Sequence, residues 1–236
     1  MFPQFGQPLP EMPQHGFART SHWSFESSKL DQTAASVTFS LSNSAATLAL
    51  WPHKFRLEYT VTLSDEQLNC SLKVKNIGDS DFAAHTLLHT YLKVAEIGAV
   101  RVVGFKDRSF VDKVANSQVD LDTREVASIE REVDRVMTGS ALHPIPSVTM
   151  DCMDTKKRVT LSVLATLTTS DGVHTPTPHD VVFWNPWIEK AKALADLGDL
   201  DYLNFLCLEP GTTSNWVTVE PKNILSLSQT LVSSPF

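Results

Sequence analysis

Between Phe55 and Leu63 apolar and polar side chains alternate without a break: Phe55, Leu57, Tyr59, Val61 and Leu63 against Arg56, Glu58, Thr60 and Thr62. Period two is the signature of a strand buried on one face only. Ser64-Asp-Glu-Gln67 supplies a turn, and Leu68, Cys70, Leu72 and Val74 alternate back, which predicts an antiparallel hairpin. The same alternation recurs at His22–Glu26, with Trp23 and Phe25 on one face, and at Val37, Phe39 and Leu41. It returns at Val159–Val163, and Arg101–Gly104, Asp180–Trp184, Tyr202–Glu209, Trp216–Val219 and Leu225–Leu231 also read as strands. One segment, Trp187–Leu197, reads as a short helix ending near Gly198. Many strands with frequent turns and one helix predict an all-β antiparallel sandwich. At 236 residues with no internal repeat and no dividing linker, it is expected as one domain over residues 1–236.

Val126, Ile129, Val133 and Val136 fall at helical spacing, so local periodicity favours helix there, although β-branched residues fit strands better. Met1–Gln14 holds four prolines and reads as extended loop.

The formal charge of −7 and pI near 5.6 argue against a nucleic-acid partner. They leave room for an anionic small ligand gripped by one or two arginines. Cys70, Cys152 and Cys207 form no CxxC pair and read as reduced, structural thiols. No apolar run reaches membrane-spanning length, and the first residues have neither a basic region nor an apolar core. The expected location is therefore cytoplasmic, with no membrane partner.

Three segments carry candidate chemistry. Asp81–Val94 reads as a strand with Leu87, His89 and Tyr91 on one face, placing an imidazole between an aliphatic and an aromatic neighbour. Such a histidine titrates near neutrality and can donate a proton; a satisfied core histidine is the other reading. Leu203, Phe205, Cys207 and Glu209 share one face of the Tyr202–Glu209 strand, so Glu209 ends an apolar row just before Pro210-Gly211. Burial there would raise its pKa into the range of a general base; a strand-end glutamate reaching water is the alternative. In His15-Gly-Phe-Ala-Arg19 the glycine permits tight geometry, and His15 and Arg19 could converge on a polar ligand or simply lie in solvated loop.

Taken together, Gln14–Arg19 (QHGFAR), Leu57–Leu63 (LEYTVTL), Leu88–Tyr91 (LHTY), Trp184–Lys190 (WNPWIEK) and Glu209–Gly211 (EPG) resemble, in order, segments of the glucose-6-phosphate 1-epimerases. These are the hexose-6-phosphate mutarotases of the aldose 1-epimerase superfamily. The resemblance covers nearly the whole chain. It implies a large β supersandwich of the galactose mutarotase-like kind, with strand over Val126–Val136. It implies interconversion of the α and β anomers of a hexose 6-phosphate, glucose 6-phosphate first. The partner is then a small-molecule sugar phosphate, bound by a monomer that uses no cofactor and no metal. By the same resemblance His89 and Glu209 are catalytic, Gln14, His15 and Arg19 contact substrate with Arg19 on the phosphate side, and Asp134 binds the sugar.

Two departures stand out. The family has further strands before the segment matching Phe2–Gly6, with a phosphate-contacting arginine among them, so this chain is expected to lack those N-terminal strands. Family members often carry histidine after EPG, where this chain has Thr212-Thr213. Two competing readings remain: a noncatalytic carbohydrate-phosphate binding or structural protein on the same fold, and a mutarotase for unphosphorylated sugars, which Arg19 disfavours.

Overall fold

The structure is a computed structural model, and it describes residues 1–140 and 143–236. In chain order its elements are β1 (Ser24–Leu30), β2 (Ala34–Ser42), α1 (Ala45–Leu50), β3 (Phe55–Ser64), β4 (Gln67–Asn76), β5 (Phe82–Leu87) and β6 (Tyr91–Lys93). Next come β7 (Val100–Val103), β8 (Arg108–Asp112), β9 (Gln118–Asp122), β10 (Val133–Met137), β11 (Ser147–Cys152) and β12 (Lys157–Thr168). The chain closes with β13 (His174–Pro176), β14 (Asp180–Asn185), α2 (Trp187–Ala193), β15 (Phe205–Val219) and β16 (Ile224–Pro235). The chain is all-β, its strands assembled into two antiparallel sheets. Among the described residues no helix is long and apolar enough to cross a membrane.

Two compact units are present; the boundaries between them fall inside β12, β15 and β16 and, between strands, after Leu88 and after Pro178. The first unit comprises Met1–Leu88, Val163–Pro178 and Gly211–Thr230. Its main sheet runs β1-β2-β3-β4 and on to β16 and β12, with β13 on the far side of β12. The expected hairpin forms with Leu63 opposite Leu68 and Val61 opposite Cys70. At the Phe55 end the face that alternation assigns to the interior is the buried one, Leu57, Leu72 and Val74 being almost or wholly inaccessible, whereas toward the turn Val61 is half-buried and Leu63 is 58 % exposed. β5 pairs with the second part of β15, Leu87 opposite Gly211. At the sheet's outer edge β1 is exposed along its whole length, and a bulge between Phe25 and Ser27 breaks its pairing with β2.

The N-terminal loop packs into this unit rather than trailing from it. Phe2 is fully buried and its ring meets Trp51 at 5.3 Å and Phe55 at 5.1 Å, edge to face. Buried Gln4 holds the loop together from inside, its Nε2 donating to the carbonyl of Pro13 at 3.0 Å while its Oε1 accepts from the Leu9 amide. Gly16 is obligatory here: φ is +74°, and a Cβ would lie 2.1 Å from the Phe2 carbonyl oxygen. α1 was not foreseen from sequence. Its six residues are too few to show a helical period, and its start is marked only by the Ser44–Thr47 capping box.

The second unit comprises His89–Ser162, His179–Pro210 and Leu231–Phe236. One of its sheets runs β12-β11-β7; the other runs β6 and β14 on either side of β15, then β10, β8 and β9. Val102, Ile129, Met137, Met150, Phe183 and Leu206 form its interior, each 2 % exposed or less.

Several expectations need correction here. His89 does not sit on a regular strand: β5 ends at Leu87 and β6 begins at Tyr91. The cause lies on β15, where Pro210 has no N–H to give, so the ladder cannot run unbroken through this stretch. Over Val126–Val136 strand forms only from Val133; the first part is irregular, tied by a two-way backbone bridge between Ala127 and Val102. The apolar spacing there reflects insertion of single residues such as Ala127 and Ile129 into the core, not a helix. The helix at Trp187 stops at Ala193, short of Leu197, and Tyr202–Asn204 is a 3-10 turn leading into β15 rather than part of the strand.

Candidate active site

The first part of β15 organises the site in the second unit. It pairs with β6 so that Phe205 lies opposite Lys93 and Cys207 opposite Tyr91. The same antiparallel register carried two residues further sets Glu209 opposite His89. A backbone bond from the Leu208 amide to the Thr90 carbonyl, 3.3 Å, keeps the His89 segment alongside although it has left the ladder. The two side chains meet directly: His89 Nε2 is 3.3 Å from Glu209 Oε1. A carboxylate and an imidazole distant in sequence thus touch at one point, with no sugar-sized gap between them.

Their exposures differ. The Glu209 side chain is 2 % exposed and that of His89 27 %, so the histidine forms the open side of the pair. Aromatic rings fix its plane. Tyr91 lies nearly parallel to it at 4.9 Å and 12°, and Trp184 on β14 approaches edge-on at 5.8 Å. The alternation that puts His89 and Tyr91 on one side therefore holds locally, although the strand does not.

β10 brings in Asp134, which pairs across the ladder with Trp184. α2 follows directly after β14, and Lys190 on it reaches back to Asp134 Oδ2 at 3.4 Å and Glu132 Oε1 at 3.2 Å. The start of α2 is held by Asn185, whose Oδ1 accepts from the Trp187 amide while its Nδ2 donates to the Tyr202 and Phe205 carbonyls. Lys113, just beyond β8, is anchored by its amide to the Asp134 carbonyl at 2.8 Å.

This arrangement has a definite electrostatic consequence. Burial, reinforced by the like charge of Asp134 and partly opposed by Lys113, pushes the Glu209 carboxyl up from 4.5 to about 8. Lys113 is exposed as a residue, yet desolvation of its ammonium holds its pKa below the usual lysine value against the pull of Asp134 and Glu209. Cys207, two residues before Glu209 on the same strand face, is fully buried, and burial and the Glu209 charge push its thiol far up. The site can therefore hold a proton on the Glu209 carboxyl near neutral pH, in direct contact with the His89 imidazole.

The remaining sequence-derived residues belong to the first unit. Gln14 and Arg19 are exposed, and the Arg19 guanidinium donates to the Gln14 carbonyl at 3.4 Å. His15 adopts φ 65° and accepts from the Gly6 amide through Nδ1 at 3.1 Å. Within the second unit His89, Glu209 and Asp134 are brought together. Lys113, Trp184, Lys190 and Cys207 join them without having been assigned a part in the chemistry. In the sequence Trp184 and Lys190 read only as parts of a strand, a short helix and a resembling segment, and Lys113 lies in a polar turn that looks merely solvated. Cys207 was readable, because it alternates with Glu209 on one face.

Residues 1–231 match the protein family described as aldose 1-epimerase. A protein of Cenchrus ciliaris, named provisionally a glucose-6-phosphate 1-epimerase, is 31% identical over 227 residues, 93% of this chain and 64% of its own length. An Escherichia coli K12 protein of the same provisional name is 28% identical over 231 residues, covering 98% of this chain and 71% of its own. The chain spans 64% of the length of both the Cenchrus ciliaris relative and a Salmonella typhimurium one. The crystal structure of YeaD from Salmonella typhimurium, provisionally a mutarotase, superposes with a TM-score of 0.81 at 25% identity, over 100% of this chain and 72% of that one. The fold is accordingly galactose mutarotase-like.

Proposed function

The chain belongs to the aldose 1-epimerase family, and on that premise we propose that it interconverts the α and β anomers of a hexose 6-phosphate, glucose 6-phosphate foremost. The observation that carries this reading is the contact of a buried carboxyl, raised to about 8, with a half-open imidazole. Mutarotation removes the proton of the C1 hydroxyl and delivers one to the ring oxygen. The C1–O5 bond breaks, the aldehyde rotates about C1–C2, and closure returns both protons by the reverse path. Each group must act as acid in one direction and base in the other, so both do best with pKa values near the working pH.

Glu209 is the base toward the C1 hydroxyl and His89 the acid toward the ring oxygen. Both are supplied by side chains, so the chemistry calls for no metal and no cofactor. Asp134, oriented by Lys190, accepts hydrogen bonds from sugar hydroxyls. Gln14, His15 and Arg19 are assigned to substrate contacts from the family resemblance, with Arg19 matching a phosphate dianion by its planar, permanently charged fork.

The test is exchange NMR on α- and β-glucose 6-phosphate, with glucose as comparison. Wild type should accelerate exchange above buffer, more for the phosphate than for glucose. Glu209→Gln and His89→Gln should each lower the enzymatic rate by about 10²–10⁴-fold. Folded wild-type protein that binds the sugar phosphate without accelerating exchange would replace this reading with a noncatalytic binding role.

A further inference from the structure

We propose that His89, Cys207 and Glu209 form a binding site for a borderline-soft divalent cation of the Zn²⁺ type, and that its occupation silences the acid–base pair. Among the described residues these three offer donor atoms, a ring nitrogen, Sγ and a carboxylate oxygen, all within 4.8 Å of one another. Tetrahedral Zn²⁺ has bonds of about 2.0–2.3 Å to such donors, which sets donor separations of about 3.4–3.6 Å. His89 Nε2 and Glu209 Oε1, 3.3 Å apart, already match one edge of that tetrahedron. Bringing Sγ in from at most 4.8 Å takes a movement of about 1 Å.

The backbone explains why the donors converge. Cys207 and Glu209 are alternate residues on one face of β15, and the β6 register places His89 across from Glu209. Donor chemistry points to the cation class. One thiolate, one imidazole and one carboxylate suit Zn²⁺, whereas Ca²⁺ and Mg²⁺ seek oxygen alone. Three protein ligands leave the fourth position to water, and the exposed side of His89 supplies the entry path. On coordination the Cys207 S–H and Glu209 O–H bonds give up their protons to solvent as the S–Zn and O–Zn bonds form, and the Glu209 oxygen and His89 nitrogen donate lone pairs to the metal. Those are the lone pairs that anomer exchange would use. Inhibition therefore rests on the function proposed above, whereas binding does not.

The experiment reads binding first, without sugar. Chelator-treated protein, kept reduced with a phosphine, is titrated with Co²⁺ as a spectroscopic stand-in for Zn²⁺. A thiolate-to-cobalt charge-transfer band with intense tetrahedral d–d bands is expected, and Zn²⁺ should bleach both. The signal should persist in the Cys70→Ser/Cys152→Ser double variant and vanish in Cys207→Ala, with Cys207→Ser as a second variant and circular dichroism as the check on folding. Absence of the thiolate band in wild type, or its survival in a folded Cys207 variant, overturns the site. In a second arm, stoichiometric Zn²⁺ should suppress wild-type anomer exchange and a chelator should restore it. Full exchange in the zinc-loaded protein overturns the silencing.

Discussion

Replacing Glu209 with glutamine should make the protein more stable, and increasingly so as the pH rises. The carboxyl titrates at 4.5 in the ordinary case and at about 8 in the fold, chiefly because burial penalises its charge. Below pH 4.5 it is protonated in both folded and unfolded chains, and its ionisation costs nothing. Between 4.5 and 8 the unfolded chain sheds the proton while the folded chain keeps it, so unfolding releases a proton and wild-type stability declines with pH. Above 8 the full difference is in place. At about 1.4 kcal/mol per pH unit, the span from 4.5 to about 8 corresponds to roughly 5 kcal/mol. That is an upper figure, since relaxation around a charged Glu209 and its contact with His89 recover part of it.

Glutamine keeps the shape and cannot ionise. Urea unfolding of wild type and Glu209→Gln at intervals from pH 5 to pH 9 should give a stability difference that grows by several kcal/mol in favour of the variant. With m near 1–3 kcal/mol/M, this separates the midpoints by at least about 1 M at the alkaline end. Curves that stay a constant distance apart across that range would show that Glu209 has no raised pKa, and the acid–base argument would fall with it.

Three further outcomes can be measured. Asp134→Asn removes the like charge that disfavours ionised Glu209, so the rising limb of kcat/KM against pH should move to lower pH; Lys113→Met removes an opposing cation and should move it higher, and shifts in the same sense for both would contradict the assignment of Glu209 as base. Arg19→Ala should weaken glucose 6-phosphate binding by roughly 1.5–3 kcal/mol, about ten- to hundredfold, and leave glucose nearly unchanged by calorimetry; equal losses would make Arg19 structural. Asn185→Ala leaves the Tyr202 and Phe205 carbonyls and the Trp187 amide without partners and should cost roughly 2–4 kcal/mol in urea unfolding, an effect under 1 kcal/mol counting against its role in holding α2.

Strand identity was legible wherever apolar and polar side chains alternate, as along Phe55–Ser64, although the one-sided burial that alternation implies holds there only at Phe55 and Leu57. It failed where a strand is interrupted by a partner's chemistry. Nothing between Leu87 and Tyr91 announces a break; the reason is a proline more than a hundred residues away. It failed again at Val126–Glu132, where isolated apolar residues enter the core from irregular chain. Of the site, Glu209 was readable from its place at the end of an apolar row. That Asp134 and Lys113 bear on its ionisation was not, since they come from β10 and the turn after β8, joined to it only by folding. The family resemblance supplied Asp134 as a sugar ligand; its electrostatic part in setting the carboxyl emerges from the structure.

The pairing of β6 with β15 carries one more implication. Side chains on a strand point alternately to opposite faces, so position there is parity rather than distance. Deleting Thr90, the one residue between His89 and Tyr91, would not move the imidazole slightly away from Glu209. It would turn it toward the other side of the sheet and bring Leu88 opposite Glu209 in its place. Changes of length between His89 and β6 thus act on the His89–Glu209 contact through parity and not only through distance.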